Sequence, residues 1–400
     1  LGDPNGEMKA FASLQRAGIV PVLEDDTRTH NMPSLDRIIG QTYNEPMTTG
    51  ILRRNMGISM CRNMPFYTLA LTSGAEFDFP RFAEDACAYR RVAEHALAKG
   101  TRRAAEVAVV VSEDAVKGFP LLRRKGEQYA RGHQWYLGDG SVLRNKGSGC
   151  LPACVAAQFY TDCARIGCGV DYLLAEDLDD NPGDYRLYVM ACCSKSSPAL
   201  CRVAERLRAR NCRILWTYAP GYVSDDGNSL ESMKALTGLE FAKCENLSDP
   251  GITLEDGIRI GPLKSDAGLF FALKSADRVF GRYANGDVAF GERRTGPSTS
   301  IFSSTHLPGA QVLKALAKSA DVHLYSETLD PVEANEGLFT LHARFAGKKT
   351  VRLPKKTDVI DVYNRRLVAK GVDTFVFDAP LFSSWLFYCA DDAEDLLQSL

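Results

Sequence analysis

The sequence predicts an α/β chain that ends in a small antiparallel β module. Helical and strand periods alternate from residue 6 to 99 and again from about 105 to 325. The strand candidates there are short apolar runs, the pattern of strands covered on both faces. Beyond Gly251, β-like runs separated by turns take over.

In residues 6–16, Met8, Phe11 and Leu14 share one helical face, and Gly18 supplies a C-terminal cap. Ile19 to Leu23 reads as a buried parallel strand that runs into the acidic end Val22-Leu23-Glu24-Asp25-Asp26. A loop containing Pro33 and Pro46 follows, then a helix over 47–61, a strand over 66–71 and an amphipathic helix over 82–99. Two strands do not make a sheet with covered edges, so this stretch reads as part of a larger sheet.

A second unit starts near Ala105. Strands are expected at 107–111, 170–175, 187–191 and 214–218, with helices at 151–166 and 198–210. This is the pattern of a doubly wound open sheet. Residues 118–149, rich in Gly, Arg and Lys, read as a long excursion from it. A helix at 308–318 and a strand at 322–325, returning to the open sheet, complete the unit. The tail has strands at 338–345, 349–353, 358–361, 375–377 and 385–388.

Composition bounds the function. The 400 residues are 45% hydrophobic and provide for two or three cores. Lys+Arg 48 against Asp+Glu 50 gives net charge −2, which argues against a nucleic-acid partner. Arg53-Arg54, Arg123-Arg124-Lys125 and Lys355-Lys356 read as solvated faces. No apolar run spans a bilayer, so no membrane partner is expected. The start at Leu1 has neither an initiator Met nor the basic and apolar regions of a signal peptide. Several of the 12 cysteines, Cys61, Cys87, Cys154, Cys163 and Cys201, lie in apolar or helical patterns, and the sequence has no C-x-x-C pair. They favour a reducing, cytoplasmic compartment with no metal or cofactor, while secretion stays open.

Residues 19–79 carry a family resemblance. The segment Val22-Leu23-Glu24-Asp25-Asp26-Thr27-Arg28-Thr29-His30, the helix from Thr49 to Cys61, and Phe66-Tyr67-Thr68-Leu69-Ala70-Leu71 leading to Phe77-Asp78-Phe79 look like the last two βα units of the TIM (β/α)8 barrel in glycoside hydrolase family 42 β-galactosidases. The stretches His323 to Thr328, Val351 to Pro354 and Asp358 to Tyr363 resemble the tail of such hydrolases. The resemblance implies the end of a barrel over 1–103, then a flavodoxin-like domain related to class I glutamine amidotransferases over 104–330, and a small C-terminal β-sandwich over 331–400. It also implies a carbohydrate substrate and a homo-oligomer, with trimerisation through the middle domain.

Retaining glycosidases use two carboxyl groups roughly 5 Å apart, one nucleophile and one acid/base. Barrel enzymes hold such groups at the C-terminal ends of strands. By resemblance the strand ending at Asp26 is the seventh and supplies the nucleophile, while the acid/base comes from a fourth strand that this sequence does not contain. Strand alternation puts Glu24 and Asp26 on one face and Asp25 on the other. Glu24 is the expected nucleophile and Asp26 the alternate. Against this stands an acidic loop in which Asp26 or Thr27 forms a local turn. Arg28 and His30 are expected to offset the three acids. These two, with Tyr43, Tyr67 and Asp78, are the expected sugar-binding residues. Two other readings accompany the glycosidase: a non-catalytic assembly or carbohydrate-binding protein of the same architecture, and an amidotransferase-like enzyme using Cys192 or Cys193. The last lacks the Gly-x-Cys-x-Gly turn and a later His-x-Glu. Gly138-x-Gly140 and Gly147-x-Gly149 lack the strand–turn–helix context of a phosphate loop.

Overall fold

A computed structural model of the chain describes residues 10–32, 42–70, 75–118, 134–136, 142–144, 159–191, 193–245, 247–261 and 269–400. The first segment contains α1 (Phe11–Arg16), β1 (Leu23–Asp25), α2 (Glu45–Cys61), β2 (Phe66–Thr68) and α3 (Pro80–Lys99). Asn44 caps α2 by accepting the Met47 N–H, and Pro46 occupies the first turn, where its missing donor is not needed. Gly100, at φ 66°, closes α3 in the left-handed conformation that Gly adopts without strain.

β1 and β2 pair in parallel, with Glu24 opposite Tyr67. The strand is shorter than the apolar run predicts, and that run is not buried. Ile19, Val20 and Val22 are 52, 66 and 39% exposed. A parallel strand is buried only where neighbours and helices cover it on every side. Here β1 pairs with β2 alone among the described residues, and α2 covers one face.

Among the described residues, the middle of the chain builds an 11-stranded mixed sheet. Its elements begin with β3 (Val107–Val111) and the short helix α4 (Glu113–Gly118). Of the expected excursion, only the hairpin β4 (Gln134–Tyr136) and β5 (Val142–Arg144) lies within the described residues. β6 (Val170–Leu174), β7 (Leu187–Met190), α5 (Pro198–Arg208) and β8 (Arg213–Thr217) follow close to their predicted places. Of the helix predicted over 151–166, residues 159–163 are helical and 151–158 lie outside the described residues.

A small hairpin, β9 (Val223–Ser224) with β10 (Gly227–Asn228), precedes α6 (Leu230–Thr237). An antiparallel extension then comprises β11 (Phe241–Cys244), β12 (Ile252–Leu254), β13 (Arg259–Ile260), β14 (Phe270–Leu273), β15 (Arg278–Arg282) and β16 (Val288–Thr295). β17 (Ser298–Ser303) joins it to the parallel strands, which run in the spatial order β6–β3–β7–β8–β17.

Residues 322–325 were expected to return to the open sheet as a strand, but the last parallel place, beside β8, is held by β17. β17 carries three buried serines, which mask its strand character in sequence. Its Ser300 hydroxyl donates to the Thr237 carbonyl at 2.9 Å, so the buried group is satisfied. Residues 322–325, after α7 (Ala310–Ser319), form no strand. Tyr325 N–H donates to Gly167 O at 2.7 Å and Tyr325 O accepts Arg352 N–H at 2.9 Å, so the segment bridges two layers.

The tail forms one five-stranded antiparallel sheet rather than the two facing sheets of a sandwich. Its strands are β18 (Val332–Ala334), β19 (Leu338–His342), β20 (Gly347–Asp361), β21 (Arg366–Ala379) and β22 (Ser384–Cys389), in the order β18–β19–β22–β20–β21, followed by α8 (Ala393–Ser399). Two predicted strands merge into β20. Pro354 lies where the β20–β21 register shifts between Arg352 and Thr357, a place where a missing N–H is tolerated. Such bulges bend the long hairpin, so that Val351, Leu353, Val359, Phe375 and Phe387 share one core.

The first segment shares its cores with both sheets. Phe11, Leu23 and Met64 join the core of the large sheet. Met60, Cys61, Ala88 and Val92 join Leu338, Ile360, Leu386 and Tyr388 of the small one. Buried charges cross the same junction. Arg62 Nε lies 2.8 Å from Glu333 Oε2, with each side chain 2% exposed. Arg103 pairs with Glu333 at 3.1 Å and Asp171 at 2.9 Å, and the Arg62 guanidinium sits 4.7 Å over the Phe11 ring.

Candidate active site

The site is built on the C-terminal end of β1. The ladder opens with Leu23 N–H to Pro65 O at 2.8 Å and closes with Leu69 N–H to Asp25 O at 2.8 Å. Side chains alternate within it. Leu23 and Asp25 are 2 and 3% exposed, while Glu24 points to the open side. Asp25 faces α2, because its Oδ2 accepts from Asn55 Nδ2 at 3.0 Å. Its Oδ1 accepts from the Thr27 N–H at 2.9 Å and the Thr27 hydroxyl at 2.5 Å. The local turn therefore centres on Asp25 and not on Asp26 or Thr27, a correction to the sequence expectation. Burial pushes the Asp25 carboxyl above its ordinary range, against the pull of the Thr27 and Asn55 hydrogen bonds.

Glu24 lies on the face away from α2, where the Tyr67 hydroxyl donates to its Oε2. Both residues are exposed, and Tyr67 is 45% accessible. The bond to the carboxylate pushes the Tyr67 phenol above its ordinary value, because the proton is held between two oxygens that repel as anions. Asp26 lies beyond the strand, and its carboxylate pairs with Arg28. Arg28 therefore offsets Asp26 rather than Glu24.

Three loops hold this end of the strand. His30 Nδ1 is 2.9 Å from the buried Thr48 hydroxyl, and its ring meets Phe79 edge-on at 5.1 Å. Thr42 N–H donates to Arg28 O at 2.9 Å, and Thr29 Oγ1 to Glu76 O at 2.5 Å. The loop after β1, the start of α2 and the turn after β2 thus form one rim. Asp78 is exposed on that turn, where its carbonyl accepts from Asn31 at 3.5 Å. Tyr43 is 81% exposed and stands off the rim.

Sequence reading passed over Asp25 and Asn55 as a pair. A polar residue on the buried face of α2, opposite the inward position of β1, was the available signal. Cys193, the described half of the Cys192-Cys193 pair, is fully buried, and burial drives its thiol well above the usual range. That is opposite to the requirement of a thiol nucleophile. Cys192 and the two Gly-x-Gly motifs lie outside the described residues. Among the described residues, no group of three or more His, Cys, Asp or Glu is arranged to hold a metal ion, and no helix is long and apolar enough to cross a membrane.

No family model and no curated protein matches the chain by sequence. Solved structures do match in fold. A β-galactosidase from Bacillus circulans sp. alkalophilus is 14% identical, with TM-score 0.61, over 93% of this chain and 55% of its own. The cold-adapted β-galactosidase from Rahnella sp. R3 is 16% identical, with TM-score 0.60, over 92 and 55%. A catalytic mutant of a GH42 β-galactosidase from G. stearothermophilus is 14% identical, with TM-score 0.58, over 86 and 51%. The chain thus spans about half the length of these enzymes. Over that half, its mixed α/β fold is similar to that of the GH42 β-galactosidases.

Proposed function

We propose that this chain is the C-terminal part of a retaining glycoside hydrolase of the β-galactosidase type, with Glu24 as the nucleophile. One observation carries the reading. In a fold similar to GH42 enzymes, a carboxylate stands on the open face at the C-terminal end of a parallel strand. In this reading β1 and β2 are the last two strands of a barrel, and the face opposite α2 is its interior. The exposed Val20, Val22 and Tyr67 are then lining that further strands cover. Asp26 is the alternate nucleophile. Arg28, His30, Tyr43, Tyr67 and Asp78 are the proposed sugar-binding residues, with Tyr43 standing outside the rim that the others share and Tyr67 also holding Glu24. The acid/base lies on a strand outside this sequence.

The spatial order of the five parallel strands (second, first, third, fourth, fifth) supports a flavodoxin-like reading of residues 104–330. We assign residues 1–103 to the barrel and 331–400 to a C-terminal β domain. Trimerisation through the middle domain is the assembly this architecture suggests. The second reading, a non-catalytic carbohydrate-binding or assembly protein, draws on the same open face.

The test is hydrolysis of an aryl β-galactoside by the full-length protein and its Glu24→Gln variant. Loss of about 10³-fold or more in kcat is expected when a covalent nucleophile is removed. Undiminished turnover in the variant refutes the nucleophile assignment, and no turnover in the unmodified protein favours the second reading.

A further inference from the structure

A concavity of about 490 Å³ lies far in sequence from the β1 rim, between the end of α5, the end of α6 and β16. Arg208, Lys234, Arg293 and Arg294 line it, and Glu240 is the one carboxylate among the lining residues. That carboxylate is engaged, since Lys234 Nζ lies 2.8 Å from Glu240 Oε1. Three arginines therefore border one open depression in a chain whose net charge is −2.

These arginines are held in place. Arg208 Nη1 donates to Ala235 O at 3.2 Å and also to Leu236 O, closing the end of α6. Arg293 Nη1 donates to the Ser275 hydroxyl at 2.6 Å. Arg294 Nε donates to Gly296 O at 3.1 Å, while its backbone N–H is taken by Asp277 Oδ2 at 2.8 Å. A guanidinium has five donors, so each bond anchors the group and leaves donors for a ligand. Arg208 and Arg293 are half-buried, which strengthens their pull on an anion. Gly238, at φ 76°, caps α6 in the left-handed conformation, and its lack of a side chain lets Thr295 pack closely, since a Cβ there would meet Thr295 Cγ2 at 3.0 Å.

We infer that this hollow is a binding site for a tetrahedral oxyanion, a sulfate or phosphate group held by Arg208, Arg293 and Arg294. A neutral ligand gains hydrogen bonds but no net Coulomb attraction from a cluster of guanidinium groups, whereas an anion gains both. A tetrahedral dianion offers paired oxygens to a guanidinium fork and is opposite in sign to the local charge. The inference does not depend on the glycosidase reading.

The test is calorimetric titration of the chain at low ionic strength with inorganic sulfate, inorganic phosphate and a hexose 6-sulfate. Sodium chloride at matched ionic strength serves as control. Saturable binding of one equivalent is expected, weakened about tenfold or more in an Arg293→Gln/Arg294→Gln variant by the loss of charged hydrogen bonds. Arg294→Gln alone, at an exposed position, must also weaken it if the double variant does not fold. Tighter binding of the hexose sulfate identifies an ester carried on a sugar, and equal binding a free anion. Heat that chloride reproduces, or binding indifferent to Arg294, overturns the inference.

Discussion

At the scale of the residue, three consecutive acids have three different environments. Glu24 faces the open side with Tyr67, Asp25 is buried against Asn55, and Asp26 pairs with Arg28. The exposed carboxylate is free to meet a ligand, while the buried one braces the turn that presents it. The Glu24–Tyr67 pair has a consequence for pH. A phenol bonded to a carboxylate keeps its proton to higher pH, because ionisation breaks the bond and sets two anions together. Glu24→Gln removes the charge, so Tyr67 is expected to ionise at lower pH in that variant. Tyrosinate absorbance titrations of both proteins, each minus its Tyr67→Phe counterpart, isolate this one phenol. An unchanged or higher midpoint in the Glu24→Gln protein excludes the pair.

At the scale of the element, α2 ties the candidate site to the small sheet. It packs on β19 and β22 on one side and holds Asp25 through Asn55 on the other. Close approach is possible because Gly57 has no side chain, and an added Cβ would run into the Thr340 side chain. At an open position in a helix, Gly→Ala stabilises by roughly 0.5–1 kcal/mol. Here the sign reverses: Gly57→Ala should cost about 1–3 kcal/mol, the usual range for overpacking. Urea unfolding reads the difference, and a stabilised variant would mean that α2 does not sit against Thr340. Element extents were partly legible. Helical caps and apolar periods located α2, α3 and α5 to within a few residues, because these signals lie within the element. β1 came out shorter than its apolar run, because pairing needs a partner strand that a local pattern does not reveal.

At the scale of the whole molecule, the junction between the three parts is charged and buried. Arg62 and Arg103 meet Glu333 and Asp171 where the first segment, the large sheet and the small sheet converge. Removing one partner of such a network leaves a charge without compensation. Arg62→Met is expected to cost about 3–5 kcal/mol. Since cores are also shared across the junction, both sheets should lose stability together. Fluorescence of variants that keep only Trp216, in the large sheet, or only Trp385, in the small one, should report coincident midpoints that shift by the same amount. Separate midpoints would show that the sheets unfold independently.

The sequence by itself determined the α/β order, most helices, the parallel strands near 107, 170, 187 and 214, and the alternation that sets Glu24 against Asp25. These follow from periods of 3.6 and 2.0, which any segment carries within itself. Only the tertiary structure decided that serine-rich β17 takes the place beside β8, and that a bulged hairpin makes one bent sheet. It alone left Ile19 and Val20 exposed and brought Tyr67 to Glu24. Each of these depends on what a distant segment brings to the same place, and a local pattern carries no record of that partner.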